Sequence, residues 1–453
     1  MVKNSRWLLV FIGIVLVSFP AWSQTHEPDS TFVRNHYTKH DYRIAMRDGV
    51  KLYTVVYIPK DSSELHPMLM TRTPYSVGPY GDQNYVMSLL NLTRHYFQRN
   101  YIMVYQDVRG QYMSEGTFVD VRPYIAQKKS KDDIDESSDS YDTIDWLIHN
   151  VPHNNGKVGV RGSSYPGFYS TMASIDAHPA LIASSPQAPV SAWMKGDDWI
   201  HNGAFLLPHL FDFYAGFGWP RVKPTEDDSH SFEFGTNDGY KFFMNLGALS
   251  NINPRYYHDS VAFWNTFISH GTWDSFWEER DVLKHVKDIK PATMIVGGWF
   301  DTENLFGALN LYQQIKADNP SGHHAIVMGP WAHGRWLRDN VDSLGPIKFG
   351  MNLSNFYADS LEVPYFEYYL RGKGEEPFAG ATVFETGANV WRRFESWPPK
   401  EAEQRNLYLH TDGKLSFVKP ENTERGFDEY ASDPQKPVPY TSEIRHWYNG
   451  IYG

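Results

Sequence analysis

Residues 157–170 read Lys-Val-Gly-Val-Arg-Gly-Ser-Ser-Tyr-Pro-Gly-Phe-Tyr-Ser, a short β-branched run, then glycines and serines, then a run of small and aromatic residues. A serine hydroxyl is a weak nucleophile unless the chain presents it on a sharp strand-to-helix turn. There the helix N-terminus and the next backbone N–H stabilise the anion that forms. Such a turn needs a small residue two positions before the serine. Ser164 has Gly162 there, whereas Ser163 would have Arg161, so Ser164 is the candidate nucleophile. The spacing departs from G-x-S-x-G, because Pro166 follows at Ser+2 and Gly167 at Ser+3. Proline is tolerated in a first helical turn. The competing reading is an ordinary strand-turn-helix that uses Gly and Ser only for tight packing.

The hydroxyl needs a histidine to take its proton, and the histidine needs a carboxylate to fix its tautomer. When the serine sits on an α/β sheet, the acid and then the histidine follow it in the chain. Gly297-Gly298-Trp299-Phe300-Asp301 follows one apolar run and Gly329-Pro330-Trp331-Ala332-His333 follows another. Both lie where strands of the sheet would end, the edge at which open α/β sheets carry their chemistry. Asp301 and His333 are therefore the candidate acid and base. Asp301 also reads as a helix N-cap. Of the 19 histidines, His323 and His324 are the near rivals, but they precede their strand and fall at the opposite edge.

The elements that must position these groups are legible in outline. Residues 42–57 form two alternating runs around Asp48-Gly49, a two-residue hairpin signal. Short apolar runs at 68–71, 101–106, 157–160, 292–296 and 325–328 predict buried strands. Helical patterns at 84–99, 139–150 and 303–317 alternate with them, which predicts a mostly parallel α/β sheet. Residues 24–189 and 288–377 are assigned to this core. Residues 190–287 are aromatic-rich and helical in period, a helical cap inserted over the sheet's ligand edge. Beyond 378, alternation at 381–385 and 405–410 among Pro and Gly turns predicts the beginning of an all-β module, 378–453.

Composition narrows the function. The 453 residues carry a net charge of −11, which disfavours a nucleic-acid partner held by phosphate contacts. No cysteine is present, excluding disulfides, thiol catalysis and Cys-ligated metals; no cofactor or metal is expected. Residues 1–23 have basic Lys3 and Arg6, an apolar run from Trp7, and Ala21-Trp22-Ser23, the pattern of a cleaved export signal. The run is short for a bilayer span of about 20 residues, so an uncleaved anchor is the lesser alternative. The expectation is a periplasmic or secreted protein with no stable membrane insertion.

The motifs together resemble the cocaine-esterase-like (CocE/NonD) hydrolases, relatives of the X-prolyl dipeptidyl peptidases. The match runs through Met46-Arg-Asp-Gly-Val50, Asp107-Val-Arg-Gly110 with Ser114-Glu-Gly116, Gly162-Ser-Ser-Tyr-Pro-Gly167, Gly298-Trp-Phe-Asp301 and Gly329-Pro-Trp-Ala-His333. Gly387-Ala-Asn-Val-Trp391 and Trp397-Pro398 look like the opening of that family's jelly-roll domain. The resemblance implies an α/β-hydrolase core with a helical cap, followed by the beginning of a β jelly roll. It also implies an oxyanion hole made by the Tyr165 backbone N–H and the Tyr75 hydroxyl.

Within that family the chain is most similar to the α-amino-acid ester hydrolases, on Gly162-Ser-Ser-Tyr165, Trp193-Met-Lys-Gly-Asp-Asp-Trp199 and Asp301-Thr-Glu303. The likeness implies a carboxylate cluster that binds a substrate ammonium, placed here on Asp198, Glu303 and Asn304, the last an amide where the family has an acid. A solvated acidic surface is the alternative for the acidic pair Asp197-Asp198 and for Glu303. The implied activity is cleavage of small acyl esters or amides through an acyl-enzyme, with acyl transfer to β-lactam amines. An X-prolyl dipeptidyl peptidase or a general carboxylesterase is the second reading, and a truncated inactive fragment the non-enzyme one. Because the chain stops at Gly453, where the β-domain has begun, a homo-oligomer or a second chain completing that domain is the expected partner beside the small-molecule acyl substrate.

Overall fold

The computed structural model describes residues 28–227, 230–421, 427, 429–435 and 444. The segment 1–23 read as an export signal lies outside the described residues, as does most of the stretch from 422 that was assigned to the β-module. Among the described residues, no helix is long and apolar enough to cross a membrane.

Ten strands form one sheet: β1 (Tyr37–Ala45), β2 (Lys51–Pro59), β3 (His66–Thr73), β4 (Ile102–Asp107), β5 (Asn154–Ser163), β6 (Leu181–Gln187), β7 (Ala292–Gly298), β8 (His324–Gly329), β9 (Ala381–Glu385) and β10 (Val390–Phe394). Their spatial order is β1-β2-β4-β3-β5-β6-β7-β8-β9-β10. β4, β3 and β5 through β9 run parallel, while β1, β2 and β10 are antiparallel additions at the two edges. Parallel strands are buried on both faces by their crossover helices, so they read as continuous apolar runs. β7 and β8 follow that rule and are buried at every residue. This is the α/β-hydrolase arrangement, with Ser164, Asp301 and His333 just beyond the carboxyl ends of β5, β7 and β8.

Several local expectations are corrected. The β1–β2 turn is not a two-residue hairpin: residues 46–50 form the loop, closed by Met46 N–H donating to Val50 O at 2.8 Å and Gly49 N–H to Met46 O at 2.8 Å. Gly49 takes φ +91° there, a left-handed value that favours glycine. The helix expected at 84–99 is only Asn91–Gln98, because the preceding residues are held by tertiary bonds such as Leu89 N–H to Asp29 Oδ2 at 2.8 Å. The helix expected at 139–150 begins at Glu136, where Asp135 and Ser138 form a reciprocal capping box. β6 went unread because its sequence, Leu-Ile-Ala-Ser-Ser-Pro-Gln, looks like a loop, yet Ser184, Ser185 and Gln187 are fully buried. The strand at 381–385, expected to open a separate β-module, instead pairs parallel with β8 and extends the central sheet.

Between β6 and β7 none of the described residues joins the central sheet. Helices Leu207–Gly216, Gly239–Leu246, Ala262–Ser269 and Ser275–Glu279 occupy this interval. They close on an aromatic cluster in which Phe211 meets Phe232, Phe242 and Tyr257 at ring separations of 5.1, 5.6 and 5.2 Å. Aromatic pairs at such separations are stabilising beyond their buried area by about 0.5–1.5 kcal/mol each, which explains how so aromatic a segment folds with no more sheet than the short antiparallel pair Ile200–His201 and Ala204–Phe205.

Candidate active site

β5 ends at Ser163 and the helix Tyr165–Ser174 begins two residues later, leaving Ser164 alone at the turn. Its backbone sits at φ +69°, ψ −128°, a region that costs a non-glycine residue about 1–3 kcal/mol and persists only where the surroundings enforce it. They do so through Ser164 N–H to Gln187 O at 2.9 Å and through Gly167 and Phe168 N–H to Ser164 O at 2.7 and 3.1 Å. A Cβ on Gly162 would stand 2.3 Å from Pro166 O, and one on Gly167 would stand 2.4 Å from Gln187 O. Both glycines are therefore required by close approach, and the displaced second glycine serves packing against β6. Pro166 lies in the first helical turn, where its missing N–H has no partner to lose.

The loops after β7 and β8 are laced together by Trp299 N–H to Gly329 O at 2.8 Å and Phe300 N–H to Trp331 O at 3.1 Å. That brings His333 Nδ1 within 3.1 and 3.0 Å of the two carboxylate oxygens of Asp301. Asp301 Oδ1 also accepts the N–H groups of Glu303 and Asn304 at 2.8 and 3.1 Å. These bonds close the turn before the helix Leu305–Asp318, whose N-cap is Asn304, so Asp301 faces His333 but is not the helix N-cap. The other imidazole nitrogen, Nε2, stands 3.3 Å from Glu303 Oε2. Among the described residues no hydrogen bond joins His333 to Ser164. The rivals are elsewhere: His324 is buried in β8, and His323 lies beside Tyr369.

Ser164 opens on a pocket shared with Tyr75, Tyr165, Trp193, Asp198 and Glu303, and closed by Val190, Trp199, His209 and Phe213. It encloses about 40 Å³, little more than one water's share of liquid volume, roughly 30 Å³. A larger acyl group enters only as wall side chains yield; half-buried Phe213 and Tyr75, 42% exposed, have room to move. Asp197 and Asp198 part company. Asp197 Oδ2 accepts Ser191 and Ala192 N–H while its Oδ1 accepts Gly307 N–H at 2.7 Å, a wholly structural role. Asp198 Oδ2 accepts Trp193 Nε1–H at 2.6 Å and an Asn304 Nδ2–H at 3.2 Å. Asn304 thus stands behind Asp198 and outside the pocket lining.

The electrostatics follow from burial and crowding. Burial alone would raise Asp301, but His333 and the two backbone donors outweigh it and hold the carboxyl below its ordinary value. Burial alone would lower His333; Asp301, Glu303 and Asp198 outweigh it and push the imidazole up to about 10. Asp198 is raised by burial and then by Glu303 and Asp197, and Glu303 by burial against the pull of His333. Tyr75 is raised by burial of its hydroxyl and by the same carboxylates, which keeps it a neutral O–H donor. The pocket holds an excess of carboxyl over cation.

Two supports escaped the sequence reading. His209, on the helix Leu207–Gly216, brings Nε2 to 3.7 Å from Glu303 Oε1 and is pushed down to about 3 by burial and by His333. Nothing local distinguishes it from the other histidines; only the fold of the cap segment brings it here. Beneath the elbow, fully buried Glu362 accepts from Arg161 Nε at 2.6 Å, Gln187 Nε2 at 3.0 Å, Tyr96 OH at 3.2 Å and Tyr357 OH. Arg161 lies on β5 and Gln187 is the residue whose carbonyl fixes Ser164, so this network clamps the strand that leads into Ser164.

The sequence pattern of the X-Pro dipeptidyl-peptidase (S15) family matches residues 48–335. The chain is 25% identical over 448 residues to the cocaine esterase of Rhodococcus sp. (strain MB1 Bresler), covering 92% of this chain and 71% of the esterase. Among solved structures it is similar to an aminopeptidase from a marine sediment Thaumarchaeota archaeon (33% identity, TM-score 0.82, 96% of this chain and 71% of that one). It is also similar to an α-amino acid ester hydrolase (32% identity, TM-score 0.82, 95% of this chain and 70% of that one). The chain belongs to the X-Pro dipeptidyl-peptidase (S15) family and is a serine hydrolase of its cocaine-esterase-like, CocE/NonD type, acting on esters.

Proposed function

We propose that the protein is an exported α-amino-acid ester hydrolase, with Ser164, Asp301 and His333 as its catalytic residues. The observation that carries this reading is that Ser164 shares one small pocket with the carboxyls of Asp198 and Glu303. Ser164 Oγ attacks the ester carbonyl as His333 takes its proton. The tetrahedral oxyanion is met by the Tyr165 N–H, which as the first helical donor has no intrahelical acceptor, and by the Tyr75 hydroxyl. Collapse expels the alcohol, protonated by His333, and leaves an acyl-enzyme on Ser164. Water, or an amine such as that of a β-lactam nucleus, then resolves it. The ammonium of the substrate sits against Asp198 and Glu303. Each such pairing is worth up to about 4 kcal/mol at an effective dielectric of 20, less the cost of desolvation. With Asn304 in place of a third acid, the ammonium meets one charge fewer.

The test compares phenylglycine methyl ester with methyl phenylacetate, which lacks the amine. A kcat/KM advantage of about tenfold or more for the amino ester, roughly 1.4 kcal/mol, supports the ammonium site. Equal values would reduce the reading to a general carboxylesterase.

A further inference from the structure

A second cavity, of about 380 Å³, lies between the loop after β4 and the cap-segment helices, inside the range of about 300–1,000 Å³ typical of small-molecule pockets. Its walls include Phe118, Trp219, Phe263 and Phe276, and three charged residues line it, Asp120, Arg280 and Arg221, the last donating to the carbonyls of Tyr112 and Ser114. Asp120 is only 6% exposed. Its Oδ1 accepts the hydroxyls of Tyr165 and Tyr214, both at 3.2 Å, while Oδ2 accepts no hydrogen bond from the described residues. Arg280 lies over the Phe276 ring at 3.7 Å and donates Nη1–H to Phe276 O at 3.2 Å. Its Nε is shut off from solvent without an acceptor, and it makes no ion pair with any described residue. A carboxylate and a guanidinium thus share one enclosure without touching each other.

Unpaired, partly desolvated charges are costly, and each is relieved by a counter-charge with hydrogen-bonding geometry. We propose that this cavity binds a zwitterionic α-amino acid with an aromatic side chain, its ammonium on Asp120, its carboxylate on Arg280 and its ring among Phe118, Trp219, Phe263 and Phe276. The site goes beyond the reaction at Ser164 and does not depend on it. Burial raises Asp120 to about 7 against the pull of its two tyrosines and Arg280; a bound ammonium would ionise it. Tyr165, whose hydroxyl holds Asp120, also follows Ser164, so an occupant paired with Asp120 stands one hydrogen bond away from the elbow helix.

Calorimetric titration of full-length Ser164→Ala protein, which turns over none of the probes, decides the matter. L-Phenylalanine is expected to bind saturably. N-acetyl-L-phenylalanine and L-phenylalaninamide, each missing one charge, should bind about tenfold more weakly or worse, as should L-phenylalanine to the Arg280→Met variant. Ala262→Trp, at an exposed residue on the rim, should abolish binding by filling the mouth, and it decides the question if Arg280→Met fails to fold. Glu303→Gln should leave binding unchanged. The proposal is overturned if L-phenylalanine does not bind, if either neutralised derivative binds equally well, or if binding survives Ala262→Trp. Loss of binding in Glu303→Gln overturns it too, by moving the ligand to the pocket of Ser164.

Discussion

Glu303 Oε2 stands 3.3 Å from His333 Nε2, so a pocket carboxylate engages the nitrogen that takes the proton of Ser164 in the proposed mechanism. Together with Asp301 on Nδ1 this holds the imidazole charged, with its pKa pushed up to about 10. A base in that state is idle. In the proposed reading, a substrate ammonium against Glu303 and Asp198 would cancel part of the field that keeps it protonated, so that the amine would both bind and release the base.

The pH dependence of kcat reads this directly, since kcat reports the ionisations of the bound complex. The rising limb for phenylglycine methyl ester should lie about one pH unit or more below that for methyl phenylacetate. Glu303→Gln should raise kcat on the des-amino ester at pH 7, because His333 loses one of the carboxylates that raise it, and should lower kcat/KM on the amino ester. Parallel losses on both esters would mark Glu303 as merely structural.

Tyr75→Phe removes the proposed side-chain donor to the oxyanion and leaves the ring. Steady-state kinetics should show kcat reduced by about 10²–10³ with KM little changed. A change confined to KM would place Tyr75 in substrate binding alone.

Glu362→Gln strips the charge from a buried carboxylate that answers Arg161 and three further donors. Leaving Arg161 without its counter-ion should cost about 3–5 kcal/mol of stability by urea denaturation. Activity per folded molecule should fall as well, since Gln187 loses one of its anchors.

Gly162→Ala puts a methyl group 2.3 Å from Pro166 O, against backbone. The turn must open, and labelling of Ser164 by an active-site probe should slow by about tenfold or more, with the melting temperature lowered.

The sequence carried much of this site because the chemistry is written in short loops that follow strong strands. Ser164, Asp301 and His333 each stand directly after an apolar run flanked by glycines, and the helices and strands around them follow periodicity. What escaped it depends on long-range partners. β6 hides behind buried serines, the helix from Asn91 starts late because Asp29 holds the preceding residues, and the strand at Ala381–Glu385 joins β8 rather than a separate module. His209 and Glu362 reach the site from 45 and 198 residues beyond Ser164 in the chain, with no local motif to mark them. Asp197 and Asp198 are adjacent and alike in sequence, and only the hydrogen bonds of Asp197 to Ser191, Ala192 and Gly307 separate scaffold from pocket.

The most direct measurement of the central assignment is peptide mass spectrometry after treatment of folded protein with a fluorophosphonate. The account predicts one adduct on Ser164 in the wild type, the same adduct in Ser163→Ala and none in Ser164→Ala. An adduct on Ser163, or none on folded wild-type protein, would contradict it.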